Sequence, residues 1–283
     1  MTARILDGKA VAAEVKEEVA AAVSKLDYQP GLATVLVGDD PASHTYVRGK
    51  RRDAEQVGIR SIHHELEAST AQADLLALVD ELNADDEVDG ILVQLPLPQG
   101  LNGELTVERI DPAKDVDGLH PFSLGKLVLG QQGLRPCTPS GVMRILNHYG
   151  IETKGARAVI VGRSFLVGRP LAMIMSERGT DSTVSVAHSR TADLASVTSE
   201  ADILVAAAGS PGLIGVDHVK PGATVIDVGV NRTDDGLVGD VDFDGVKDIA
   251  GAITPVPGGV GPMTRAMLLV NTLRAARSRR GAG

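Results

Sequence analysis

Tryptophan is missing from this 283-residue chain, and phenylalanine and tyrosine contribute only three residues each. The core must therefore be filled by Val, Ile, Leu and Ala. One cysteine, Cys137, excludes an internal disulfide and makes a reducing cytosol the default. Positive charge is short too: 28 Lys and Arg stand against 37 Asp and Glu, a net charge of −9. That excludes a general nucleic-acid binder, which needs a broad basic face. The arginines near the end (Arg274, Arg277, Arg279, Arg280) form either a basic tail or, more plainly, the cations that suit a helix C-terminus. No apolar run is long enough to span a membrane, the longest, "ILVAAAGSPGLIGV" from Ile203, being broken by Gly and Pro. Charge arrives by the seventh residue, so no signal-peptide core is expected. The seven histidines show no metal-ligand spacing, and no metal is expected.

What is present is an alternation of helical and strand periods. In the first half, residues 9–26, 41–58 (with Ser43 as N-cap) and 69–85 read as helices. Residues 31–38, 59–66 and 88–98 read as strands. Such a βαβαβ order implies a parallel sheet, whose sites lie where strands end, here at "VGDDPAS" and "VQLPLP". Periodicity fades over residues 110–140, and a helix over 140–150 follows. The second half supplies "RAVIVG", "TVSVA", "DILVAAAG", "ATVIDVG" and "IAGAITPV", the strand set of a doubly wound nucleotide-binding sheet, and ends in a helix over 263–279.

The segment "VIVGRSFLVGRP" (159–170) has a strand, a glycine turn and a helix start, but not the spacing G-x-G-x-x-G. Taken alone it fits a plain βα connection or a phosphate site, with Gly162 turning, Gly168 allowing close approach, and Arg163 and Ser164 between them. After the second strand comes "HSRT", with no acid to bind a ribose 2′-hydroxyl. Ser189 and Arg190, with Arg163, suit a 2′-phosphate, which favours NADP over NAD. Tyr46 and Lys50 stand four apart on one helix and share a face. Gln94 leaves the third strand, and Asp115 and Asp117 lie in "KDVDG". Singly, each fits an ordinary surface or capping role. Together they crowd the strand ends.

These stretches, with "DGKAVA", "PCTPSGV", "IDVGVN", "GDVDF" and "TPVPGGVGPMT", resemble the bifunctional methylenetetrahydrofolate dehydrogenase/methenyltetrahydrofolate cyclohydrolase family of the bacterial FolD type over nearly the whole length. The resemblance implies a three-layer α/β catalytic domain (1–140 and 263–283) and a Rossmann-type NADP-binding domain (141–262), with a cleft between them. It implies oxidation of 5,10-methylenetetrahydrofolate by NADP and hydrolysis of the methenyl product to 10-formyltetrahydrofolate, in a cytoplasmic homodimer. Lys50 matches the catalytic lysine, with Gln94 orienting it, Tyr46 stacking on the folate and Asp117 gripping the pterin edge; Asp115 is structural or less direct. Gly162, Arg163, Ser164, Val167, Gly168, Ser189, Arg190, Gly209 and Val230 are the expected NADP contacts. Pro257, Gly258 and Gly259 are expected to line the folate site. The sequence departs from the family at Ser123, at Phe165 and Leu166, and at Gly49, a helical glycine costing about 1 kcal/mol relative to Ala.

Overall fold

The computed structural model describes residues 2–234 and 236–281. Its first half runs β1 (Arg4–Ile5), α1 (Gly8–Val23), β2 (Gly31–Val37), α2 (Pro41–Gln56), β3 (Arg60–Leu66), α3 (Gln72–Ala84) and β4 (Gly90–Val93). Three helices follow: α4 (Gly103–Arg109), α5 (Pro121–Val128) and α6 (Cys137–His148). Then come β5 (Arg157–Val161), α7 (Gly168–Ser176), β6 (Thr183–Ala187), α8 (Leu194–Thr198), β7 (Ile203–Ala206) and β8 (Thr224–Asp227). A hairpin of β9 (Asn231–Thr233) and β10 (Gly236–Val238), then α9 (Phe243–Val246), β11 (Ala252–Ile253) and α10 (Val260–Arg280), complete the chain.

Two compact units result, one of residues 13–137 and 265–283, the other of residues 1–12 and 138–264. The first holds a parallel sheet in the order β3-β2-β4. β2 is buried along its whole length, as a central parallel strand covered on both faces must be. Ala33, Val35 and Val37 pack with Leu75, Val79 and Leu82 of α3, while Leu32 and Leu36 are buried on the opposite face. The second unit holds a sheet in the order β1-β11-β8-β7-β5-β6, parallel throughout. The strand order reverses about β5, which leaves a switch point between β5 and β7.

The structure corrects several expectations. Residues 1–12 lie not with the first sheet but with the second, because Arg4 and Ile5 pair with Ala252 and Ile253. Gly8 then sits so close to the 258–259 segment that a Cβ there would lie 1.8 Å from the Gly259 carbonyl oxygen. The N-cap of α2 is Asp40, whose carboxylate accepts from Ser43 N–H at 2.8 Å; Pro41, whose nitrogen needs no partner, opens the helix. Residues 110–140 are not irregular throughout, since α5 lies among them, started by Pro121 with the His120 ring accepting from Phe122 N–H. Its shortness and internal Gly125 hide its period. Nor do the terminal arginines merely complement a helix end. Arg279 and Arg280 bind the fully buried Asp89 at 2.8 and 3.0 Å, and Asp89 also accepts from Gly31 N–H, tying α10 to the start of β2.

Lys114 fixes the loop that carries Asp115 and Asp117. It is fully buried, and its ammonium donates to the carbonyls of Leu82, Asn83 and Asp85 at 3.0, 2.7 and 2.7 Å. These are groups that the C-terminus of α3 leaves unpaired. Burial, with the Arg279 charge adding to it, holds the Lys114 pKa below its ordinary value. Lys114→Met keeps the apolar stem but orphans the Leu82 and Asn83 carbonyls, while Asp85 O retains the Val88 N–H at 3.2 Å. It should lower unfolding free energy by about 3 kcal/mol in urea titrations; a loss under about 0.5 kcal/mol would mean the carbonyls are not held by charge.

Candidate active site

α2 presents Val47, Lys50 and Ala54 on its buried face, with Ser43, Gly49 and Asp53 beside them. Tyr46, one turn before Lys50, is half-buried. Lys50 is 7% exposed and donates to the Gln94 Oε1 at 2.9 Å. Gln94 is aimed by its own contacts: its backbone N–H continues the ladder to Val35 O, and its side-chain amide donates to Leu95 O at 2.6 Å. The exits of β2 and β4 are neighbours, so the two strand ends singled out from the sequence lie side by side. Burial is the main cause that lowers the Lys50 pKa; the Asp117 charge opposes it, and the Arg265 guanidinium adds to it. Burial also raises the Tyr46 pKa, against the pull of Arg265. The four expected catalytic side chains thus share one unit. Lys50 and Gln94 touch, and Asp117 acts on Lys50 through its charge.

The "KDVDG" loop divides its two acids. Asp115 is buried and accepts from His120 N–H at 2.8 Å and the Ser123 hydroxyl at 3.0 Å, which makes it a loop organiser. The departure at Ser123 therefore has an internal role. Asp117 stays half-buried, and its carbonyl accepts from Cys137 N–H. Cys137 is buried with its thiol against Val116 O, and burial drives its pKa well up, which keeps the thiol protonated and unreactive. Asn271 holds the same corner by donating to the carbonyls of Val116 and Arg135, each at 2.8 Å.

Sequence reasoning missed Arg265 and Asp53. Asp53 is 2% exposed and pairs with Arg265 at 3.2 Å and Lys16 at 3.5 Å. The Arg265 guanidinium passes so near Gly49 that a Cβ there would lie 2.3 Å from Nη1. This explains the helical glycine: it makes room for the arginine. The signal in the sequence was that glycine itself.

In the other unit, the expected cofactor residues gather at the carboxyl ends of four adjacent strands, β6, β5, β7 and β8. Gly162 leaves β5 at φ +134°, and a Cβ there would meet Ala207 O at 2.1 Å. Gly168 opens α7 with the same clearance from Gly162 O. Ser164 accepts from Val167 N–H through its hydroxyl, and Val167 gives α7 no side-chain cap. The start of that helix, with exposed Arg163 beside it, fits an anion. Ser189 and Arg190 are exposed just past β6, next to β5 in the sheet. Among the described residues neither Arg163 nor Arg190 has a carboxylate partner. Gly209 follows β7 and Val230 follows β8, both exposed. Gly258 and Gly259 are buried backbone, Lys9 N–H donating to Gly258 O at 3.1 Å, while Pro257 is exposed. Among the described residues no three His, Cys, Asp or Glu side chains gather as metal ligands, and no helix is long and apolar enough to cross a membrane.

Residues 6–117 match the catalytic domain of tetrahydrofolate dehydrogenase/cyclohydrolase, and residues 136–280 match its NAD(P)-binding domain. The chain belongs to that family. It is 57% identical over 282 residues to the bifunctional protein FolD 2 of Frankia alni, covering 98% of this chain and 97% of that one. The crystal structure of the bifunctional FolD enzyme of Campylobacter jejuni superposes with a TM-score of 0.94 at 48% identity, over 97% of this chain and 99% of that one. The FolD enzyme of Trypanosoma brucei, solved with NADP and an inhibitor, gives a TM-score of 0.94 at 40% identity, over 99% of both chains.

Arg265→Gln removes a cation that disfavours the Lys50 ammonium, so the Lys50 pKa should rise. Competitive acylation of Lys50 across a pH series should show its midpoint moved upward from that of the unaltered chain. An unmoved or lowered midpoint would mean that the guanidinium does not act on the lysine.

Proposed function

We infer that this FolD-family chain is a bifunctional folate enzyme of one-carbon metabolism. It oxidises 5,10-methylenetetrahydrofolate to the methenyl compound with NADP and hydrolyses that product to 10-formyltetrahydrofolate. The observation that carries this reading is the buried Lys50–Gln94 pair in a chain that also builds a phosphate-ready Rossmann turn. Hydride transfer alone asks little of a lysine. Hydrolysis needs a proton acceptor, and burial tunes Lys50 toward the neutral amine that accepts one.

NADP, when bound, supplies the hydride acceptor. The methylene carbon gives up hydride to become a cation stabilised by its two flanking nitrogens, so the protein's task there is positioning. For hydrolysis, the water oxygen bonds to the methenyl carbon while one water proton passes to the Lys50 amine. The bond from that carbon to N5 then breaks, and the hydroxyl proton of the adduct moves to N5. Gln94 accepts from Lys50 and aims its nitrogen, and Asp117 limits how far burial lowers its pKa. We assign Tyr46 to the folate ring face, Asp117 to the pterin edge, and Pro257, Gly258 and Gly259 to the lining of the folate site. Gly162, Arg163, Ser164, Val167, Gly168, Gly209 and Val230 are assigned to NADP, with Ser189 and Arg190 on its 2′-phosphate. The working form in this proposal is a cytoplasmic homodimer; the lone buried Cys137 suits a reducing compartment.

Mixing the purified chain with 5,10-methylenetetrahydrofolate should give NADPH from NADP, far less product with NAD, and little methenyl accumulation at neutral pH. A folded, NADP-binding chain that forms no NADPH would overturn the enzyme reading. Lys50→Met should abolish hydrolysis of the methenyl compound with NADP binding retained. The hydrolysis rate of the unaltered chain should rise with pH through a midpoint below the ordinary lysine value of 10.5, because the active form is the amine. Arg190→Ala should weaken NADP about tenfold and NAD hardly at all, since only NADP carries the 2′-phosphate; equal losses would remove Arg190 from that role.

A further inference from the structure

Past β7 the chain turns through Ala208, Gly209 and Ser210, all exposed, with Gly209 at φ +64°. Three successive N–H groups at a strand exit form a concave donor set of the kind that binds anions. Here an anion from the chain itself fills it. The Asp240 carboxylate, fully buried, accepts from Ala208 N–H at 2.6 Å, Gly209 N–H at 2.9 Å and Ser210 N–H at 2.8 Å. A fourth donor, the Asn231 side-chain amide, reaches the same carboxylate at 2.8 Å.

Asp240 is itself held by a second buried acid. Asp227, at the end of β8, accepts from Gly229, Asp240 and Val241 N–H groups at 2.9, 3.0 and 3.0 Å. Two glycines make room for the pair. A Cβ on Gly239 would lie 1.8 Å from the Asp227 carboxylate, and one on Gly229 would lie 2.3 Å from that of Asp240. The motifs "IDVGVN" and "GDVDF" are thus one interlocked object: two acids, two clearing glycines and the Asn231 amide.

We propose that Asp240 is a positioning residue for the nucleotide, acting as a built-in anion that freezes the 208–210 turn and the 229–231 segment. This rests on the NADP reading above. Both segments lie beside expected contacts, Gly209 and Val230, so one carboxylate sets the shape of two adjacent strand exits. With its three N–H groups taken by Asp240, the turn after β7 has none left for an external anion.

Asp240→Asn keeps the shape but replaces one acceptor oxygen with a donor, setting an amide N–H against donors that now lack a partner. Fluorescence enhancement of bound NADPH, clean in a chain without tryptophan, reads the affinity directly. The dissociation constant should rise about tenfold or more, the size expected for lost hydrogen bonds to a charged group. The KM for NADP should rise more than kcat falls, and amide exchange at residues 208–210 should quicken with no nucleotide present. A folded Asp240→Asn chain binding NADPH within about twofold of the unaltered chain would overturn the proposal. If that variant does not fold, Asn231→Ala decides, because it deletes one half-exposed donor. It should weaken NADPH about threefold, and unchanged binding would overturn the proposal. Failure of the unaltered chain to bind NADPH would instead sink the nucleotide reading, and the inference with it.

Discussion

Backbone groups stranded at the ends of secondary elements are the constraint on which this structure turns. A helix leaves carbonyls at its C-terminus, and a parallel strand hands its chain to a turn whose N–H groups have no ladder to join. In both units, buried ionised side chains take up these groups. Lys114 serves the carbonyls after α3, Asp240 the N–H groups after β7, and Asp89 the start of β2 together with two arginines of α10. Charge that would be ruinous if isolated becomes the means by which loops and strand ends hold one shape.

Two buried lysines show how the same residue is turned to different ends. Lys114 has three carbonyl acceptors and is bound in place. Lys50 has Gln94 as its hydrogen-bond acceptor, with Asp117 and Arg265 setting opposed fields around it. Burial lowers the pKa of both, but only Lys50 has hydrogens not committed to backbone. That difference separates a lysine that holds a loop from one with the free hydrogens that the proposed proton exchange requires.

Much of this was legible in the sequence because parallel strands are short, apolar and bracketed by turn residues. β2, β4, β5 and β7 all stood out that way, and their exits carried Gln94, Gly162 and Gly209. The two-residue β1 did not stand out, since so short a strand has no period, and the placement of residues 1–12 went wrong with it, although the segment holding its partner β11 had read as a strand. α5 was hidden by its brevity and its glycine. Arg265 was invisible for another reason. It approaches Lys50 and Asp53 from more than 200 positions away in sequence, and spacing arguments reach only along a single helix or strand. Gly49 was the one local trace of that contact, legible as an anomaly but not as an arginine-shaped space.

The pairing of Arg4 with Ala252 also constrains how the chain is made. A ribosome adding roughly 5–20 residues per second leaves β1 without its partner for about 10–50 seconds, while nearly all of the polypeptide is synthesised. The six-stranded sheet gains that edge strand only once residues 252 and 253 have been made, and the first unit waits longer still, for the arginines of α10 that bind Asp89.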